Sequence, residues 1–113
     1  MRELNKINAA PKQLFRVIGE NGERIRLALN YSPTQQKWFF DMRWNDWTIN
    51  GAVLCLSPNI LRSYKRIIPF GLSCIAEDAI EPTFIDDFET GRVRLILLNA
   101  EEVREIEEAL FLP

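Results

Sequence analysis

Apolar and polar positions alternate along most of the chain, and the alternation predicts strands. Gln13 to Ile18 puts Phe15 and Val17 on one face before Glu20-Asn21-Gly22-Glu23 reverses direction. Asn-Gly is the strongest short hairpin signal, because both central residues of a type I′ turn need positive φ. In the return segment Ile25, Leu27, Leu29 and Tyr31 face one way while Arg24, Arg26 and Ala28 face the other, as in a strand with one wet face. Ser32-Pro33-Thr34 breaks it. Lys37 to Trp44 then resumes the alternation, with Trp38, Phe40, Met42 and Trp44 opposed to Lys37, Phe39, Asp41 and Arg43. The expected core is this aromatic face packed on Ile25, Leu27 and Leu29.

After a turn at Asn45-Asp46, Trp47 to Ile49 and Ala52 to Leu56 read as short strand pieces interrupted at Gly51 by a bulge or bend. Ile60 to Ile68 mixes periods and stops at Pro69, so it is read as irregular or as a short turn of helix. Leu72 to Ala76 and Arg92 to Leu98 are further strands, separated by a long loop from Glu77 to Gly91. The period changes at the end. Asn99 followed by Glu102 resembles a capping box, and Val103, Ile106 and Leu110 recur at helical spacing, predicting a helix of about three turns with a narrow apolar stripe. The expected fold is a single domain over residues 1–113: mainly β, a small antiparallel β-barrel or curled sheet with one C-terminal α-helix.

Composition narrows the function more than the fold. At 113 residues, 47% hydrophobic and 27% charged, the chain has the makeup of one packed globular domain and not of a disordered one. Fourteen basic against sixteen acidic residues give a net charge of −2, which disfavours a basic polyanion binder. The apolar runs are far shorter than the roughly 20 residues of a membrane span, and the first residues lack the apolar segment of a secretory signal. Cys55 and Cys74 sit in apolar segments and read as buried, reduced thiols, with a reducing cytoplasm as the expected compartment of synthesis.

Catalysis finds little support, since histidine is absent and no nucleophile lies in a recognisable motif; no catalytic residue and no cofactor is expected. Carboxylates crowd the segment from Glu77-Asp78 through Glu81 and Asp86-Asp87 to Glu89, but their spacing matches no calcium loop, and a solvated loop is the preferred reading over a metal site. Phe84, Ile85 and Phe88 interleave with those acids and must bury under the loop or against a partner. Nucleic-acid binding is the alternative function. It rests on Arg62, Lys65 and Arg66 around Tyr64 and on Arg92 and Arg94, in the manner of small barrels that bind single strands. The Trp38 to Trp44 face is read as core and not as a stacking platform.

Several of these features occur together in a known order. Ile68-Pro69-Phe70-Gly71-Leu72, Glu77-Asp78, Pro82, Asp86-Asp87-Phe88, Thr90-Gly91-Arg92, Leu95 to Leu98 and Asn99-Ala100-Glu101-Glu102-Val103 resemble the baseplate plug family of contractile-tailed phages. Asn8, Pro11, Gln13, Phe15, Val17, the Arg24 to Tyr31 strand, Trp38-Phe39-Phe40-Asp41-Met42, Gly51 and Leu54 extend the resemblance over nearly the whole chain. The resemblance implies a structural virion protein of the tail baseplate, near the junction of tail tube and central hub or spike, without enzyme activity, cofactor or assigned catalytic residues. Its expected partners are other baseplate proteins and further copies of itself, in threefold or sixfold symmetry, with no membrane and no specific nucleic acid. Partner contacts are expected at the basic segment Arg62, Lys65 and Arg66 and at Phe84, Asp86, Asp87 and Phe88 of the acidic loop, whose opposite signs could pair between neighbouring copies.

Overall fold

The computed structural model describes residues 2–4 and 6–111, with no side-chain description at 111. Strands β2 (Lys12–Ile18), β3 (Arg24–Ser32), β4 (Lys37–Trp44) and β5 (Trp47–Val53) form an antiparallel meander in that spatial order. A second antiparallel sheet has the order β1-β7-β6, from β1 (Arg2–Glu3), β6 (Phe70–Ala76) and β7 (Val93–Asn99). Strand β1 was not anticipated; at two residues it is too short to show a period, and it exists because Arg2 and Glu3 pair with Leu97 and Ile96.

The inward faces of both sheets share one core. Ile25, Leu27, Leu29, Trp38, Phe40 and Met42 from the meander meet Phe70, Leu72, Cys74, Val93, Leu95 and Leu97 from the smaller sheet. The aromatic face is therefore interior as the alternation predicted, with Trp44 half-buried and in edge contact with Phe70 at 5.9 Å. The expected mainly β, antiparallel architecture is present as two separately paired sheets, and no closed barrel forms among the described residues. The crossing is made by the chain itself: beyond β5, Leu54 N–H still donates to Trp38 C=O, and Ser57 then forms a bridge with Cys74 on the edge of β6. Ala52 to Leu56 is thus strand only as far as Val53.

Two turns depart from their sequence signals. In the first hairpin Gly22 has φ +85° while Asn21 is not left-handed, and Gly22 N–H donates to Gly19 C=O. Gly19 to Glu23 is therefore a longer loop ending in a left-handed glycine, not the two-residue type I′ turn. At Gly51 the expected bulge is present: the β4–β5 register shifts between Phe40 and Met42, Gly51 takes φ +64°, and its N–H donates to Asp41 Oδ1 at 2.6 Å. Ile60 to Ile68 contains a 3₁₀ turn at Arg62–Tyr64.

Helix α1 (Ala100–Ile106) begins with the predicted capping box: Asn99 Oδ1 accepts from Glu102 N–H at 2.8 Å, and Glu102 Oε1 accepts from Asn99 N–H at 3.0 Å. It continues into a wider π-type turn at Glu107–Phe111. Val103 packs on Ile96 and Leu98, with Ile75 and Ile106 beside them, so the helix covers part of the outer face of the smaller sheet. That face is apolar on both sides of the strands, which is why β7 reads as the near-continuous run Leu95 to Leu98 and not as an alternation.

Candidate interaction surfaces

The long loop from Glu77 to Gly91 is braced from within. Asp87 lies at its centre, buried, and its Oδ2 accepts the N–H groups of Thr83 at 2.7 Å and Phe84 at 2.8 Å. Arg92, at the entrance to β7, donates to the same carboxylate through Nη2 at 2.7 Å and Nε at 3.1 Å. The guanidinium also reaches Asp78 at 3.0 Å and the carbonyls of Ile80 and Glu81 at 2.9 and 3.0 Å. A planar five-donor group is suited to such a hub. Burial alone would raise the Asp87 pKa, but the bond from Arg92 and those from Thr83 and Phe84 outweigh it and hold the carboxyl below its usual range.

The core completes the brace. Tyr31 Oη donates to Thr83 C=O at 2.7 Å and Trp38 Nε1 to Phe84 C=O at 3.2 Å. Phe88 is only 7% exposed and stands edge-on to Trp38 at 5.5 Å. Phe84, in contrast, is 59% exposed, with its backbone fixed at both the N–H and the C=O. Of the four loop residues expected at a partner contact, Phe84 and Asp86 face outward, while Asp87 and Phe88 are interior and set the loop's shape.

The basic segment is committed elsewhere than expected. Arg62 Nε and Nη2 donate to the Glu107 carboxylate at 3.0 and 2.8 Å, and Lys65 Nζ bonds the same group. These bonds, Arg62 first, lower the Glu107 pKa. The 3₁₀ turn is thereby tied to the end of the C-terminal helix through Glu107. Arg66 is exposed. Tyr64 packs edge-on to Trp47 at 5.3 Å. Arg94 pairs with Glu3 at 3.4 Å. Of the basic residues that suggested nucleic-acid binding, Arg62 with Lys65, Arg92 and Arg94 are thus spread over three separate ion-paired groups, and the aromatic strand face is interior; the nucleic-acid reading gains no support.

Cys74 is buried and its thiol is pushed up to about 12, first by burial and then by Cys55 and Glu81, so it stays protonated. Cys55 is exposed, contrary to the expectation of two buried thiols, because it leaves the end of β5 on the outward side; its pKa is also raised by partial burial. Among the described residues no group of three carboxylates or thiols converges as a metal site, and no helix is long and apolar enough to cross a membrane.

Sequence reading overlooked a third surface. Arg16, Arg26 and Arg43 stand in register across the outer face of the meander. The signal was present in the Arg24-x-Arg26 alternation, but a single strand shows only that a face is wet, and pairing is needed to show that three wet faces carry the same charge.

These features define a class: a small two-sheet β-domain whose distinctive polar groups, Arg92 with Asp87 and Arg62 with Glu107, fix surface segments in place. Within that class the chain belongs to the family described as cyanophage baseplate Pam3 plug gp18, whose family model matches residues 1–101. No curated protein matches the chain. Membership makes it a structural phage baseplate protein, which places it in the tail of the virion and implies contacts with other baseplate proteins.

Proposed function

We propose that the chain is a plug component at the junction of tail tube and central hub of a contractile-tailed phage, present as a homo-oligomer of threefold or sixfold symmetry around the tail axis. The family match over residues 1–101 carries this reading. A rigid, internally braced domain suits the role: the Arg92–Asp87 hub fixes an exposed apolar residue, Phe84, on a loop that cannot relax around it. Phe84, Asp86 and Arg66 are the proposed direct partner contacts; Asp87 and Phe88 hold the loop, and Arg62 and Lys65 hold the helix end. A structural role without catalysis or cofactor agrees with the absence of histidine and with the protonated state of Cys74. Synthesis in the host cytoplasm is part of the same proposal.

The test is cryo-electron microscopy of virions with and without the gene, together with mass spectrometry of purified baseplates. Density on the tail axis at the tube–hub junction, missing in the deletion, supports the proposal. A chain absent from baseplates, or located at the capsid or tail fibres, overturns it.

A further inference from the structure

Unpaired charges of opposite sign lie on opposite faces of the molecule. Across the meander Arg16 stands opposite Arg26 and Arg26 opposite Arg43, with Arg24 one position along the same face of β3. Like charges directly opposite one another destabilise a sheet. None of these four arginine side chains has a hydrogen bond or ion pair among the described residues, whereas Arg62, Lys65, Arg92 and Arg94 are all paired. Strands β2 to β5 carry six of the fourteen basic residues and one acid, Asp41, which is occupied by the Gly51 N–H; the other eight basic and fifteen acidic residues lie elsewhere. A chain of net negative charge thus presents one strongly basic face.

The outer face of the smaller sheet is its complement. An open groove of about 610 Å³, lined by Ile75, Ile96, Leu98, Ile106 and Leu110 together with Arg94, whose charge is paired with Glu3, runs beside the C-terminal helix. Glu77, just after β6, and Glu105 and Glu108, in the helical segment, are exposed and unpaired among the described residues. The basic face in turn exposes two large apolar side chains, Leu14 at 66% and Ile18 at 59%, on either side of Arg16. Each face therefore has what the other lacks, both in charge and in apolar surface.

We propose that the basic outer face of the four-stranded sheet docks onto the acidic, grooved outer face of the three-stranded sheet in a second copy of this chain. Leu14 and Ile18 enter the groove, and Arg16, Arg24, Arg26 and Arg43 meet Glu77, Glu105 and Glu108. Because the two patches differ, the interface is heterologous and repeats from copy to copy, closing into a ring when the rotation allows. The inference deepens the self-assembly proposed above, rests on it, and assigns its surfaces.

The test uses the purified chain alone, in sedimentation velocity over a range of concentrations. Association at low salt that weakens in about 1 M salt, where the Debye length is about 3 Å, is expected. R26E/R43E and E105R/E108R variants, shown folded by circular dichroism, are each expected to associate about tenfold or more weakly, and an equimolar mixture of the two to associate again. A wild-type chain that stays monomeric at every concentration overturns the assignment, as does association indifferent to both charge reversals. So does a monomer that binds an oligo-dT probe in a salt-sensitive manner and that R26E/R43E prevents from binding. Since only isolated chains are used, these outcomes fail the surface assignment without failing the baseplate role, and the virion imaging above does the reverse.

Discussion

Replacing Asp87 by Asn isolates the charge in the loop hub while keeping its shape. The carboxylate accepts two backbone N–H groups and two guanidinium donors. An amide oxygen in the place of Oδ2 can keep Thr83, Phe84 and Arg92 Nη2, but the amide nitrogen then takes the place of Oδ1 and faces the Nε donor of Arg92, so that bond is lost and the one from Nη2 no longer meets a charge. Hydrogen bonds to charged groups contribute about 1.5 to 3 kcal/mol each. Arg92 is partly exposed and keeps Asp78 and the carbonyls of Ile80 and Glu81, so the loss should fall well short of the sum, at about 2 to 3 kcal/mol. For a domain of this size that lowers Tm by about 8 to 12 °C, read by calorimetry at neutral pH. The folded-state pKa of Asp87 lies below its unfolded value, so the ionised group contributes stability above the unfolded pKa of about 3.9 and loses that contribution as pH falls through the folded value. The variant has no such group to protonate, and the gap between the two proteins should narrow on acidification. A D87N protein within roughly 0.5 kcal/mol of wild type at pH 7, or a gap that widens in acid, would refute the account of the hub.

The two loop phenylalanines should separate cleanly. Phe88→Ala is expected to cost about 3 to 5 kcal/mol in urea unfolding, while Phe84→Ala leaves stability within roughly 0.5 kcal/mol and impairs incorporation into baseplates; equal effects on stability would contradict their assigned places. Iodoacetamide at pH 8 should modify Cys55 in the folded protein and reach Cys74 only on unfolding, as peptide mass mapping can show; comparable rates at both would count against the buried, protonated Cys74.

How much of this was legible depended on whether a signal was local. Trp38, Phe40 and Met42 went to the core because a period of two states which face is buried, and Asn99 with Glu102 made a cap because its geometry spans four residues. The first hairpin was placed correctly, yet its turn type was not, since Gly19 allowed the loop to open earlier than Asn21-Gly22 suggested. Closure into a barrel was not decidable from strand patterns, because alternation gives one face per strand and leaves the number of sheets open. At the candidate surfaces, Phe84 and Phe88 look alike in sequence; only the edge contact with Trp38, fifty positions away, makes one of them interior. Glu107 was likewise invisible as the partner of Arg62 and Lys65, being more than forty residues distant and indistinguishable from its glutamate neighbours.

The pairing of β1 with β7 sets an order of events for a chain emerging from a ribosome. Every neighbour within the meander is also a neighbour in sequence, so β2 to β5 can close hairpin by hairpin with short loops. The smaller sheet cannot, because Arg2 and Glu3 wait for Leu97 and Ile96, and β6 waits for the same strand. Until β7 is released, the inner face of the meander has no lid and the groove beside the helix does not exist. Newly made chains therefore expose their basic sheet well before they can offer the acidic one, and the proposed head-to-tail docking has to wait until β7 and the helix after it have emerged.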